Sequence, residues 1–520
     1  MRLPMTLRNQ RLSLCCLAVF SISTLAAAAD FPSFNPDYPL PEDWQGRVFE
    51  LSQDFPSEEP EPEDFPWEAI NFQLEPFEYL RTVLSYSLEG NIEVDFDVQN
   101  NPIRTWYHAP WMHAGCGGRE FVRGLTRERS SRPRELHPNQ TGYTDNWAVG
   151  IYNPPGGYVL GQVWEDPAVP HPQAAVFPNG TVSIKLLFSA APVEQVPYLE
   201  GSFTWEADIY PPLGRNPCGD SQPERPREIK ELRLLQLDVS VRDERVPDTG
   251  WVFGTFIYDA GAAGETPWDR LQVVGVQWGN DPTVKSQMQD RGAFQNPDLQ
   301  EGMINSSLIL PEGIDEAGEH AFVTHFGLGG RVNGPIDNPI SSCMSCHGLA
   351  SVPSQSVVPR GAWPGNYPED EFDHFFANTP PGTGDDPDRI QLDYSMQLAF
   401  GIRAFASCLR NPEREGCGPM DLGPIDEAPD GGDVVAGEIR TLDPRITAGE
   451  PLHRAGDDEY AEHPSDDDAA MTDGKASGPG SSEGPGDGEA SEAGSKIPSL
   501  RWWILGLGAL LLIWLLSRRR

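Results

Sequence analysis

The stretch LQLDVSVR, residues 235–242, has an apolar residue at every second position and a polar residue between each pair. The stretch TVSIKLLF, residues 181–188, begins with the same alternation. Successive side chains of a β-strand point to opposite faces, so this period of two predicts strands with one apolar and one polar face. These two segments indicate that the middle of the chain is built on a β-sheet.

Three further segments extend the β-rich region. Alternating or continuous apolar residues occupy 203–209, 251–259 and 271–279. Proline and glycine clusters separate the segments and indicate turns, as in PPGG at 154–157. Short strands with regular turn signals are typical of antiparallel sandwiches and jelly rolls. We therefore expect a β-rich, sandwich- or jelly-roll-like domain over 66–300, with one helix near 76–88.

The composition shows a strongly acidic protein with extended low-complexity parts. The 520 residues carry a formal net charge of −40, and 52 glycines and 51 prolines interrupt the chain. Nucleic-acid binding requires a large basic face, so this charge excludes it as a main function. An acidic, proline-rich lead-in is expected over 30–65. An acidic stalk rich in glycine and serine is expected to be disordered over 418–496.

Both ends of the sequence carry membrane-targeting patterns. Arginines precede an apolar run at 12–25 and the small residues at 26–29, which predicts a signal peptide over 1–29. An apolar segment over 497–517 predicts one transmembrane helix, and the arginine tail 518–520 predicts a cytoplasmic end. These patterns place the folded part on the periplasmic face of the inner membrane, held by a single-pass C-terminal anchor.

The strongest chemical motif is Cys343-Met344-Ser345-Cys346-His347, a CxxCH sequence. Two residues between the thiols let both sulfurs reach the vinyl groups at one edge of a porphyrin, and the following imidazole can then ligate the iron. The motif predicts one covalent haem c, with thioethers at Cys343 and Cys346 and His347 as an axial ligand. A thiol redox pair, a zinc site or a local disulfide are the alternative interpretations.

The segment 301–417 resembles a mono-haem c-type cytochrome in an exported, membrane-anchored bacterial protein. The resemblance rests on the CMSCHG motif and implies a small, mainly α-helical cytochrome c-like haem domain. Apolar residues at helical spacing predict an amphipathic helix near 390–409 within it. The multidomain architecture is therefore expected to run from the β-rich domain to the haem domain, the acidic stalk and the transmembrane helix.

The sixth ligand of the iron is left open by the sequence. The loop where simple cytochromes commonly place a methionine contains His374 but no methionine, and Met396 follows later inside the predicted helix. Met396 and His374 are the main candidates. His108, His113, His325 or an open coordination position are the other possibilities.

The remaining cysteines of the exported part suggest disulfides in an oxidising compartment. Cys408 and Cys417 flank a short segment at the end of the last predicted helix, and a bridge there could hold the end of that helix in place. Cys116 and Cys218 would form the second pair, inside the β-rich region.

Three functions are compatible with these features. The first is an electron carrier with a six-coordinate, low-spin haem, which exchanges single electrons with a redox partner protein that has a basic docking patch. The second is a haem-c-dependent oxidoreductase whose substrate is bound by the β-rich domain. The third is a surface-binding module with a sensory or structural haem. The presence of one strong motif favours the electron carrier over a catalyst.

Overall fold

The computed structural model describes eight stretches of the chain. They are residues 31–61, 63–210, 227–284, 298–308, 327–338, 340–355, 369–383 and 387–418. The expected signal peptide, the stalk from residue 419 onward, the transmembrane anchor and the arginine tail lie outside the described residues.

Ten β-strands lie in the described part of the chain. They are β1 (Thr126–Arg127), β2 (Asn146–Tyr152), β3 (Val182–Ser189), β4 (Thr204–Ile209), β5 (Glu228–Arg242), β6 (Trp251–Tyr258), β7 (Leu271–Gln277), β8 (Gly302–Ile304), β9 (Ser351–Val352) and β10 (Ile390–Gln391). The segments that alternate in the sequence correspond to β3, β4 and β5, and the two continuous apolar segments correspond to β6 and β7.

The first eight strands form one antiparallel sheet. Its order is β1-β2-β3-β5-β6-β7-β8, and β4 pairs with the beginning of the long strand β5. The antiparallel β-rich region is therefore confirmed. Within the described residues these strands join one sheet and not the two facing sheets of the expected sandwich. Alternation of side chains shows that one face is buried, but it does not say whether a second sheet or a helix covers that face.

The cross-strand register assigns each residue to a face. One face of the sheet carries three residues that pair across neighbouring strands: Ile184 on β3, Val239 on β5 and Gly254 on β6. A Cβ atom on Gly254 would collide with the side chain of Leu80, so the glycine permits the helix at 76–88 to approach the sheet closely. One face of the sheet is thus covered by a helix packed directly on its central strands.

Five α-helices accompany these strands in the part of the chain that the structure describes. They are α1 (Pro76–Leu88), α2 (Pro154–Val163), α3 (Cys343–His347), α4 (Glu369–Phe375) and α5 (Met396–Arg410). The predicted helix at 76–88 is confirmed as α1. The prolines and glycines at 154–157 form the first turn of α2, and not the turn that we expected. Proline is favoured at the first helical position, and the Asn153 side chain caps the helix by accepting from the Gly156 amide.

Segments on both sides of residue 300 share one core. β8 pairs with β7 beyond the expected domain boundary, and Phe253 and Tyr152 of the sheet belong to the same buried apolar cluster as Met344 and Tyr394. α5 begins at Met396 rather than near 390, because residues 390–391 pair with β9. Within the described residues, the part after 300 therefore packs onto the sheet and does not form a separate core.

Candidate functional site

The CxxCH motif forms the short helix α3, whose start is fixed by a reciprocal cap. The Ser342 hydroxyl accepts from the Ser345 amide at 3.2 Å, and the Ser345 hydroxyl accepts from the Ser342 amide at 2.7 Å. Residues three apart on a helix lie on the same side, so the helical turn brings Cys343 and Cys346 together. The cap therefore sets the geometry of the two thiols.

His347 is held in one orientation by a backbone carbonyl. Its Nδ1 lies 2.9 Å from the carbonyl oxygen of Tyr394. A carbonyl oxygen can only accept, so Nδ1 carries the proton and Nε2 keeps its lone pair. Burial lowers the pKa of His347 to about 4, so the ring is neutral at neutral pH. A neutral imidazole with one nitrogen anchored and the other bearing a lone pair is the form that ligates metals.

The carbonyl that holds His347 belongs to a backbone turn of unusual conformation. Asp393 and Tyr394 have φ values of 44° and 66°, in the left-handed region that few residues other than glycine adopt. The Asp393 carboxylate accepts from Trp251 Nε1 and from the Phe177 amide, both at 2.8 Å. The Tyr394 hydroxyl donates to the Thr379 carbonyl at 2.9 Å. These bonds hold the turn in place.

The turn at 393–394 is a functional feature that the sequence analysis did not find. The helix predicted near 390–409 includes Asp393 and Tyr394, which the structure places in the turn before α5 instead. Asp393 is the one weak signal for this turn, because aspartate adopts the left-handed region more often than most residues. The bonds that hold the turn come from distant segments, which the sequence does not reveal.

The two thiols are neutral and half-buried. Neither Cys343 nor Cys346 is disulfide-bonded. Burial raises the pKa of Cys346 to about 12 and raises that of Cys343 well above its usual range. A thiol redox pair depends on an activated thiolate, so these values argue against that interpretation. The described part of the chain contains no group of three or more His, Cys, Asp or Glu side chains that could hold a metal ion.

The sheet forms one side of the site. The ring of Phe253 on β6 lies 4.8 Å from the ring of His347, centroid to centroid. The Met344 amide donates to the Gln277 side chain on β7 at 3.3 Å. The residues present therefore fit a covalently bound haem: two thiols on one helical turn, an oriented neutral imidazole, and aromatic and apolar surroundings.

The two candidate sixth ligands lie in different environments. Met396 is the buried first residue of α5, and His374 is exposed on α4 with its ring against Phe375. The Tyr394 carbonyl contacts Nδ1 of His347, so a metal held at Nε2 would lie at the other edge of the imidazole. Neither Met396 nor His374 is placed opposite His347 by a contact that the structure shows, and the sixth ligand stays a prediction.

His108 and His113, which precede the first strand, are both buried and packed against aromatic rings. His108 packs edge-on against Phe49, and its Nδ1 accepts from the Ser52 amide at 3.2 Å. His113 is fully buried with its ring 5.1 Å from that of Trp111. His325 lies outside the described residues.

One of the two expected disulfides is present. Cys408 and Cys417 are bonded with an S–S distance of 2.07 Å, and the bridge closes the C-terminal end of α5. Cys116 is disulfide-bonded. Its expected partner, Cys218, lies outside the described residues, so that pairing stays a prediction.

In the ranges that the structure describes, no helix is both long and apolar enough to cross a membrane. The expected anchor at 497–517 lies outside those ranges. The chain matches no family model, no curated protein and no solved structure.

Proposed function

We propose that this protein is an exported, membrane-anchored c-type cytochrome that binds one haem covalently and transfers single electrons. Cys343 and Cys346 would form the thioethers, and His347 would be an axial ligand of the iron. The observation that carries the proposal is the bond between His347 Nδ1 and the Tyr394 carbonyl, because it prepares Nε2 for a metal beside two neutral thiols.

The chain supplies orientation and a low-dielectric environment to the haem, whose iron takes up and releases one electron when bound. The Tyr394 carbonyl fixes the tautomer and angle of His347, and Phe253 packs against the ring. A rigid imidazole keeps the iron environment similar in both oxidation states, which lowers the reorganisation that electron transfer requires. Nothing in this role requires a catalytic acid or base.

The electron-transfer partner is expected to be a periplasmic or membrane-bound protein with a basic docking patch. The net charge of −40 favours encounter with a positively charged surface. The association rate should therefore fall as ionic strength rises, because salt screens charges separated by more than roughly 8–10 Å.

Covalent attachment can be tested directly. The full chain is expressed in a host with intact cytochrome c maturation and then extracted with acidified organic solvent. We expect wild type to retain its haem, and the Cys343→Ala/Cys346→Ala variant to carry none. Cys408→Ser/Cys417→Ser is the matched control, since it removes two cysteines of the same half of the chain and should keep the haem. Wild type without covalent haem would refute the proposal.

A haem oxidoreductase is the second candidate. The exposed side chain of His374 on α4 favours it, because a solvent-facing histidine would leave one coordination position of the iron open to external ligands unless Met396 fills it. Such a site would bind small external ligands. A five-coordinate, high-spin haem that binds cyanide or carbon monoxide rapidly would favour the oxidoreductase. A six-coordinate, low-spin haem whose spectrum does not change when these ligands are added would favour the electron carrier.

A further inference from the structure

A small cavity lies on one face of the large sheet, where Val149 of β2 and Leu186 of β3 line it. Leu186 is two residues from Ile184 and therefore shares the face that carries Gly254. Phe253, whose ring contacts the histidine of the CxxCH motif, points to the opposite face. The sheet thus separates this cavity from the proposed haem site.

The polar part of the cavity lining consists of nitrogen donors. Arg47, His108 and Arg123 line it together with aliphatic and aromatic side chains, and none of the lining side chains carries a carboxylate, an amide or a hydroxyl. The cavity volume is about 10 Å³, which is room for about one water molecule or one monatomic ion. The side chains around this space therefore offer N–H donors and no free acceptor.

His108 contributes a donor that the described residues do not satisfy. Its Nδ1 accepts from the Ser52 amide at 3.2 Å, so the ring proton resides on Nε2. Burial lowers the pKa of His108 well below its usual range, and the charges of Arg119 and Arg47 lower it further, so the ring is neutral. The residue is only 2% exposed, and Nε2 has no hydrogen-bond partner in the part of the chain that the structure describes. A buried N–H of this kind calls for an acceptor.

Two guanidinium groups converge beside the same space. Arg47 Nη1 and Arg123 Nη1 both donate to the carbonyl oxygen of Asp95, at 2.9 Å and 3.3 Å. Burial lowers the pKa of Arg47, and the like charge of Arg123 lowers it further. The Nε atom of Arg123 is buried and has no hydrogen-bond partner among the described residues. An anion between these groups would satisfy the Nε donor and reduce the repulsion between the two cations.

The neighbouring carboxylates do not take this role. Asp95 accepts from Arg123 at 2.5 Å and Asp97 accepts from Arg47 at 3.3 Å, but their side chains are 49% and 37% exposed and neither lines the cavity. The buried carboxylate of Glu120 accepts from four backbone amides. These contacts leave the donors of His108 Nε2 and Arg123 Nε without a partner.

We propose that this cavity binds a single halide ion, with chloride as the natural occupant. A water molecule could accept from two of the donors, but its own hydrogens would then face a lining without a free acceptor side chain. A halide accepts from every donor around it and compensates the charge of the guanidinium groups. Polyatomic anions such as sulfate exceed the volume of the cavity. The inference does not rest on the proposed function, and the bound ion would join the loops of Arg47, His108 and Arg123 to the sheet.

Bromide is the probe that locates the ion, because it has the charge of chloride, nearly the same size and a measurable anomalous signal. Crystals of the wild-type full chain, grown in detergent and soaked in sodium bromide, should show an anomalous peak within hydrogen-bond distance of His108 Nε2 and Arg123 Nε. Soaking in excess sodium chloride should remove the peak by competition. An anomalous map without a peak in this cavity would overturn the inference.

Thermal unfolding in solution measures the affinity. The full chain is unfolded in sodium chloride and, at equal concentration, in sodium gluconate, whose anion is too large for the cavity. A ligand that binds only the folded state raises the unfolding midpoint as its concentration rises, so chloride should raise the midpoint by a few degrees. Equal midpoints in the two salts would contradict the proposal.

Two variants and a matched control assign the effect to this site. Arg123→Met removes one guanidinium group with its Nε donor, and His108→Asn removes the Nε2 donor while its side-chain oxygen can still accept from the Ser52 amide. Each should weaken chloride binding on the order of tenfold or more, because a charge-assisted or buried hydrogen bond is lost. Arg81→Met is the control, since Arg81 is exposed on α1, and it should leave the chloride effect unchanged.

The haem-free Cys343→Ala/Cys346→Ala variant separates this site from binding of a halide to the iron. It should show the same difference between chloride and gluconate as wild type, because the cavity lies on the other face of the sheet. Loss of the chloride effect in this variant would assign the ion to the haem and overturn the inference, as would an undiminished effect in both Arg123→Met and His108→Asn.

Discussion

The carbonyl oxygen of Tyr394 accepts a hydrogen bond from Nδ1 of His347 at 2.9 Å, although 47 residues separate them in the chain. The bond joins the turn before α5 to the last residue of α3. It decides which nitrogen of His347 can bind iron, and on which side of the ring the iron would lie.

Asp393 is predicted to position His347 through the Tyr394 carbonyl. Its two carboxylate oxygens each accept one hydrogen bond, from Trp251 Nε1 and from the Phe177 amide. Asp393→Asn replaces one acceptor by a donor, so a buried donor loses its partner at a cost of about 1–3 kcal/mol. The turn should then relax, so that the Tyr394 carbonyl no longer accepts from Nδ1 of His347. The imidazole would donate less electron density to the iron, and the midpoint potential of the haem should rise.

Redox titration and urea unfolding of Asp393→Asn measure the two effects separately. Asp259→Asn is the control, because Asp259 accepts from the Gly261 amide in an exposed turn at the end of β6. A destabilised Asp393→Asn protein with an unchanged potential would show that Asp393 supports the fold only.

Lys185 is predicted to raise the potential of the haem. Lys185→Met leaves the carboxylates of Asp238 and Asp337 without their cation, and the added negative charge favours the ferric state. Two unit charges about 10 Å apart, at an effective dielectric constant of about 20, would interact by roughly 1.7 kcal/mol. That energy corresponds to about 70 mV for one electron, so the potential should fall by tens of millivolts.

The opposite change provides the check on that prediction. Asp337→Asn removes a negative charge from the same network and should raise the potential. Lys230→Met, on the same sheet and paired with Glu228, should leave it unchanged. Shifts of the same sign in Lys185→Met and Asp337→Asn would contradict an electrostatic origin.

His113 is predicted to make the fold less stable in acid. It is fully buried, and its ring nitrogens have no hydrogen-bond partner among the described residues. Burial lowers its pKa to about 3, against an ordinary value of 6.5. The unfolded chain therefore binds a proton that the folded chain does not, and stability is lost as pH falls from about 6.5 toward 3. One such group contributes a slope of about 1.4 kcal/mol per pH unit.

Replacing His113 by phenylalanine should remove this contribution. The His113 ring packs against Trp111, and an apolar ring leaves no polar atom unsatisfied, so stability at pH 7 should be unchanged or higher. Urea unfolding at pH 7, 6 and 5 measures the slope, which should decrease in His113→Phe. An identical pH dependence in both proteins would show that His113 does not titrate on unfolding.

The bridge between Cys408 and Cys417 is predicted to stabilise the C-terminal end of α5. Closing a loop of about ten residues restricts the unfolded chain by roughly 2.5–3 kcal/mol. Cys408→Ser/Cys417→Ser should lower the free energy of unfolding by about this amount and leave haem attachment intact. Unfolding of wild type under reducing conditions should reproduce the loss, and an undiminished stability of the variant would contradict the prediction.

Local patterns in the sequence predicted the strands β3 to β7 and the helix α1, and they suggested the bridge between Cys408 and Cys417. Apolar residues alternate with polar ones in 181–188 and 235–241 because one face of each strand is buried. This alternation predicts a strand regardless of which element covers the buried face. The spacing of Cys343, Cys346 and His347 likewise fixes which atoms can act together, because they lie within one helical turn. Both kinds of pattern are local, so a single sequence displays them.

The tertiary structure alone decided what surrounds these elements. The sequence could not show that α1, and not a second sheet, covers Gly254, because alternation carries no information about the covering element. Nor could it show that Tyr394 would hold His347, since the left-handed turn at 393–394 depends on hydrogen bonds from Trp251 and Phe177, which lie far away in the chain. Long-range contacts of this kind exist only after the chain has folded, and they orient the imidazole that the local motif merely supplies.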